Sequence, residues 1–165
     1  MEQVLSENEE KFRLVFESAN VGKSITLPTG EMNVNKTFCE MLGYEEKVLQ
    51  KLKWQEITPP DEIDSIQSIL NLLLSGEKDT ARFIKRYIHN NGSYIWADVN
   101  VALNRNAQGK PLFFITTLID ITERIITESN LRESEILNKT LVQHLPQKIF
   151  IKDVDSVYIT CNNKF

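Results

Sequence analysis

The run SYIWADVNVAL, residues 93–103, alternates without a break. Ile95, Ala97, Val99, Val101 and Leu103 form one set; Tyr94, Trp96, Asp98, Asn100 and Ala102 form the other. Successive side chains of a strand point to opposite faces, so the purely apolar set marks a face turned to a core. Upstream, Asn90-Asn91-Gly92 is hairpin turn chemistry, and Thr80 to His89 reads as the partner strand. Downstream, Asn104 to Lys110 with Gly109 is the next turn. Pro111 to Ile121 is apolar on both alternating sets, as expected of a strand covered on both faces. A three-strand meander therefore fills residues 80–121.

Ahead of it lie two short strands and several helices. Glu7 to Ser18 reads as a helix with Phe12, Val15, Phe16 and Ala19 on one stripe. Val21 to Leu27 and Glu31 to Val34 read as strands around the Pro28-Thr29-Gly30 turn. Asn35 is a good helix N-cap; Phe38, Met41 and Leu42 share one face of the helix it opens, and Gly43 stops it. Tyr44 to Ile57 is mostly polar and reads as short helical turns. Pro59-Pro60-Asp61-Glu62 starts a longer helix, with proline and acids in the first turn. Ile63, Ile66, Leu70 and Leu73 form its buried stripe, and Gly76 ends it.

The chain has 165 residues, 41% of them hydrophobic and 25% charged, with 19 basic and 23 acidic side chains and a net charge of −4. Interspersed charges with an acidic excess argue against a bulk nucleic-acid binder. Cys39 and Cys161 lie far apart without metal-ligand spacing, which points to a reducing compartment. The longest apolar stretch, Leu112 to Ile121, is too short to span a bilayer as a helix, and the N-terminus is acidic. The expectation is a cytoplasmic chain without direct membrane contact, any anchor being carried elsewhere in a longer parent.

Helical patterning returns from Glu123 to Leu145, and with it an internal repeat. Leu131-Arg-Glu-Ser-Glu135 parallels Leu5-Ser-Glu-Asn-Glu9, and Ile149-Phe-Ile-Lys parallels Lys23-Ser-Ile-Thr. Asn162 and Phe165 fall where Asn35 and Phe38 fell. A second copy begins near Leu131 and is cut off as its first core helix starts.

Four motifs in this order resemble the PAS family with its C-terminal extension. Asn35-Lys-Thr-Phe38-Cys-Glu-Met-Leu42-Gly43-Tyr44 resembles its Asn-x-x-Phe-x-x-x-Leu-Gly-Tyr. Ile57-Thr-Pro-Pro-Asp61 resembles its helix-opening turn, with proline where histidine is common. Asn91-Gly92-Ser-Tyr94-Ile-Trp96 resembles its Asp-Gly-x-x-x-Trp hairpin, and Asp120-Ile121-Thr122-Glu123-Arg124 its closing signature. The resemblance implies an α+β fold: a PAS-like five-stranded antiparallel sheet, short helices over one face, and flanking N- and C-terminal helices. It divides the chain into a capping or dimerisation helix (1–20), a core (21–122), a connecting helix (123–130) and the truncated start of a second domain (131–165). It implies a noncatalytic sensory and dimerising module of a signalling protein. A two-component histidine kinase with its phosphorelay is the first expectation for the parent; a diguanylate cyclase or transcriptional regulator is the alternative.

The residues themselves bear on cofactors. The helix from Asp61 to Ser75 has no histidine to ligate haem; His89 and His144 sit at a hairpin end and a helix end. The Gly-x-Asn-Cys-Arg-Phe motif of photoactive flavin domains is absent, and Cys39 reads as a core or boundary residue. No Cys/His cluster suits zinc, and no phosphate loop or nucleophile elbow is present. No cofactor is expected, with a small ligand left open; a ligand-free protein-interaction scaffold and a noncovalent flavin sensor of redox state or light are the alternatives. A cleft is expected between the helices and the sheet, with Ile25, Phe38, Met41, Leu42, Ile66, Leu70, Leu73, Val99 and Val101 as candidates. It is either filled by side chains or holds that ligand. On the other face, Tyr94 and Trp96 call for a cover that the helix bearing Phe12 and Phe16 provides, from the same chain or from a homodimer partner. Asp120, Ile121 and Thr122 are the expected transmission point, with Thr122 capping the amide of Ile125. Adjacent PAS and output domains are the other expected partners.

Overall fold

The computed structural model describes residues 2–18 and 20–162, so Ala19 of the helix stripe and Phe165 of the repeat lie outside the described residues. Helix α1 (Glu2–Glu17) is followed by β1 (Gly22–Thr26), β2 (Met32–Val34), α2 (Lys36–Leu42), α3 (Glu46–Leu49) and α4 (Pro60–Ser75). Then come β3 (Thr80–Ile88), β4 (Tyr94–Arg105), β5 (Pro111–Asp120), α5 (Thr122–His144), β6 (Phe150–Lys152) and β7 (Tyr158–Cys161). The chain forms two compact units, Met1–Thr122 and Glu123–Phe165.

In the first unit the strands form one antiparallel sheet in the order β2-β1-β5-β4-β3. The fold is α+β, as expected. The last strand of the meander docks between β4 and β1, so the helical stretch carries the chain from one sheet edge to the other. Phe38, Leu42, Leu49, Ile57, Val34, Val99 and Leu118 are almost wholly buried between α2, α3 and the inner face. Each such side chain contributes roughly 1.5–3 kcal/mol through removal from water. A second cluster joins Leu73 of α4 to Val101 and Phe114.

The punctuation residues act as their chemistry dictates. Asn35 caps α2, its Oδ1 accepting from Phe38 N at 3.0 Å. Gly43 ends α2 with φ of 69°, and a side chain there would also collide with the His89 ring, 2.4 Å from Nε2. The acids at the start of α4 do more than complement the dipole. Glu62 bonds the Arg86 backbone N–H and, with Asp61, its guanidinium, at 2.9, 2.7 and 2.5 Å, fastening α4 to the edge strand β3.

One strand departs from expectation. β5 is not fully covered on its outer face, where Ile115 and Ile119 are 42% and 50% exposed. Helix α1 covers only the β1–β5 side, with Phe16 buried and Phe12 stacked on it at 5.7 Å.

In the second unit, the part of α5 after Thr122 has no buried residue, and β6 pairs with β7 as an exposed hairpin. No helix among the described residues is long and apolar enough to cross a membrane.

Candidate functional site

The sheet's inner face and the helices line a half-open cavity of about 50 Å³. Strand pairing determines its floor. Ser24 lies opposite Thr116, Thr26 opposite Phe114, Val99 opposite Leu118 and Phe83 opposite Val99, so these residues share one face. Ser24, Thr26, Phe114, Thr116, Val99, Val101, Phe83, Lys85 and Tyr87 rise from the strands, including β3 at the far edge. Phe38, Trp54, Ile66 and Leu70 close over them from the helical side, with Met32 from β2.

Of the expected cleft residues, Phe38, Ile66, Leu70, Val99 and Val101 line the cavity. Leu42 and Leu73 are fully buried in the core and Met41 is half-buried, none of them lining it. Ile25 faces the other way. It pairs with Ile115 and lines a separate outer groove with Phe12, Val15 and Phe16. Register with β5 gives the inward positions of β1 to Ser24 and Thr26, so the apolar residue is the outward one.

The polar side of the cleft is where sequence reasoning saw least. Lys85 is 4% exposed; its Nζ donates to Thr58 Oγ1 at 2.6 Å, and that hydroxyl donates to Trp54 O at 2.7 Å. The ammonium lies 4.1 Å from the Tyr87 ring centre and 5.7 Å from that of Trp54. Burial lowers the Lys85 pKa to about 7, against a smaller opposing pull from Glu62. Burial also raises the Tyr87 phenol well above its usual range. The signal was present: Lys85 shares strand parity with Phe83 and Tyr87. It was obscured because the other set, Arg82, Ile84, Arg86 and Ile88, mixes apolar and charged residues too.

Cys39 is half-buried, and burial together with Glu46 and Glu17 pushes its thiol pKa up, which disfavours the reactive thiolate. Among the described residues no group of His, Cys, Asp and Glu could hold a metal ion.

On the outer face, Arg86 rather than α1 lies over Tyr94 and Trp96, and Tyr94 stays half exposed. The guanidinium carbon lies 5.1 Å from the Tyr94 ring and 5.8 Å from the Trp96 ring, held there by Glu62 and Asp61. The expected helical cover reaches Ile25 and Ile115 instead.

The junction after β5 also differs in detail. Thr122 Oγ1 accepts from Trp96 N at 2.9 Å, so its hydroxyl is tied to β4 instead of capping Ile125. The Asp120 carboxylate accepts from Thr122 N at 2.8 Å, and Ile121 N donates to Trp96 O at 2.9 Å. Asp120, Ile121 and Thr122 thus form one bonded turn between the cleft strand and α5.

A family model described as PAS domain matches residues 22–123. The probable diguanylate cyclase DgcE of Escherichia coli K12 is 32% identical over 86% of this chain, and the sensor histidine kinase TmoS of Ectopseudomonas mendocina is 30% identical over 84%. The chain spans only 12% and 14% of the lengths of these relatives. Among solved structures, a PAS domain from Colwellia psychrerythraea superposes with a TM-score of 0.63 at 15% identity, covering 73% of this chain and 98% of that one. The matched stretch is the whole sheet with the helices that close the cleft, and the chain belongs to the PAS-domain family of sensory modules.

Proposed function

We propose that this chain is the input module of a larger signal-transduction protein, relaying a change in the cleft through Asp120-Ile121-Thr122 into α5. One observation carries the reading. Phe114 and Thr116 of β5 line the cavity, and the same strand ends in the bonded turn that starts the helix. A shift of β5 along β4 strains the Trp96–Thr122 contacts first. The module itself is noncatalytic, and the parent's activity is a histidine kinase or diguanylate cyclase output lying outside this stretch. Relatives of both kinds align over most of this chain, which supports an input role separable from either output. Its two cysteines are unpaired, in keeping with a cytoplasmic placement.

Two further assignments support this role. Residues 131–165 are the opening of a second PAS domain. Asn162 donates to Val142 O and Gln147 O and accepts from Ile149 N, as Asn35 does with Phe16 O, Val21 O and Lys23 N. The module also works as a homodimer, since Leu14 and Val15 of α1 and Ile126 and Leu137 of α5 keep more than half their surface exposed.

The test is the double variant Asp120→Ala/Thr122→Ala in the full-length parent. Output should decouple from input while the domain stays folded. A normal response would remove the junction from the mechanism.

A further inference from the structure

Lys85 is a buried cation whose surroundings leave it incompletely satisfied. An ammonium carries three donors. Here one goes to Thr58, and among the described residues no carboxylate lies within ion-pair distance of Nζ. Glu62, the acid that acts on it electrostatically, is bonded to Arg86. The aromatic rings of Tyr87 and Trp54 steady the charge but accept no conventional hydrogen bond. A buried charge without a matching partner is costly, and an aliphatic residue in this place would pack without that cost.

Lys85 also lines the cavity. The remaining walls near it are apolar, from Phe83, Ile66, Leu70 and Val101. The hydroxyls of Ser24 and Thr26 belong to β1, three strands away and roughly 14 Å across the sheet, at ~4.8 Å per strand. Near β3 the cleft therefore offers one cation set among hydrocarbon and the aromatic side chains of Tyr87 and Trp54. At about 50 Å³ it has room for roughly four water-sized groups.

We propose that the cleft binds a small monocarboxylate of acetate or propionate size, its carboxylate taking the unused donors of Lys85 and its alkyl end packing on the apolar wall. This rests on the reading of the cleft as the input site, and it names the chemistry of the input. A bound carboxylate supplies the opposite charge that the folded protein lacks, so binding favours protonated Lys85. Affinity is then greatest below about pH 7, where the free lysine already holds its proton, and falls toward tenfold per pH unit above it. Of the charged or titratable neighbours facing Lys85, the Tyr87 phenol is held above its usual range by burial, and Glu62 is ion-paired with Arg86. From β4 its register neighbour is Ala97.

The experiment uses the 165-residue chain and ligand-observed NMR with propionate, with propionamide as the uncharged probe of the same shape. Propionate should bind at pH 6, weaken on going to pH 8.5, and bind about 10- to 100-fold more weakly to Lys85→Met, the loss expected for a charged hydrogen bond. Far-ultraviolet circular dichroism establishes that this variant is folded; should it not fold, the propionamide comparison and the pH series on the unaltered chain still decide. Equal binding of propionate and propionamide, or unchanged binding by folded Lys85→Met, overturns the carboxylate assignment and leaves the cleft an input site for another ligand. No binding of either probe to the folded chain overturns the assignment, while the Asp120/Thr122 variant tests the relay separately.

Discussion

Asn35 and Lys85 are both buried polar side chains, but their surroundings treat them differently. Asn35 makes four hydrogen bonds, to the end of α1, to Val21, to β1 and to α2, at 2.8–3.1 Å. Asn35→Ala would orphan two N–H groups and two carbonyls in a region with no exposed surface at that residue. We expect a loss of about 2–4 kcal/mol, read as a lowered denaturant midpoint. Lys85 instead reports through pH. Between about pH 7 and 10.5 the unfolded chain keeps the lysine proton that the folded chain has released. Stability should therefore rise with pH across this window, with a slope approaching 1.4 kcal/mol per pH unit, about the free energy of one pKa unit. Below pH 7 both states hold the proton and this contribution is flat. Above pH 10.0 Tyr87 acts in the opposite sense, because the unfolded chain loses a phenol proton that the folded chain retains. Chemical denaturation of the chain and of Lys85→Met, from pH 6 to 10, checks this. Equal slopes in the two proteins would rule out Lys85 as the source.

At the scale of elements, the decisive contact is between β4 and the start of α5. The Trp96 amide is bonded to a side-chain hydroxyl, so its protection depends on Thr122. In Asp120→Ala/Thr122→Ala we expect faster hydrogen exchange at Trp96 and along 123–130, at a cost of about 1–2 kcal/mol. Exchange in the middle of β4 and β5 should be little altered, because Val99, Val101, Phe114 and Leu118 remain buried. Unchanged exchange at Trp96 would mean that packing alone positions the helix start. The Asp61–Glu62–Arg86 clamp is a second fastening beside it, since Arg86 lies opposite Trp96 in the β3–β4 register. It joins α4 to β3 and places a cation over Tyr94 and Trp96, so one guanidinium serves helix docking and aromatic cover together.

Across the whole molecule the two units differ in how much they bury. The first has two apolar clusters beneath a five-stranded sheet. The second has a two-stranded hairpin with every strand residue exposed. An isolated two-stranded hairpin is marginal in water. Amides of residues 150–161 should exchange much faster than those of β3, β4 and β5, and a longer chain that supplies the rest of a second domain should slow them. Hydrogen-exchange mass spectrometry of the two lengths makes the comparison. Equal protection of both regions in the 165-residue chain would contradict the proposed truncated domain.

Local chemistry was enough to specify most of the elements. The alternation at residues 94–103, the Asn-Gly turn, the Asn35 cap, the glycine stops at 43 and 76 and the proline start of α4 each act over a few residues, and each is written in a few residues. The repeated Asn was legible for the same reason, although the bonds that make Asn162 resemble Asn35 needed coordinates. Tertiary structure alone decided which face of β1 points inward. Both faces of that strand are packed, and its register is inherited from β5, so apolar character misplaced Ile25. It decided likewise that Arg86 lies over Tyr94 and Trp96, and that Thr122 bonds Trp96. Both depend on partners far away in sequence. Lys85 is the clearest case: strand parity placed it with Phe83 and Tyr87, but only helices closing over an edge strand turn a lysine into a buried charge facing a cavity.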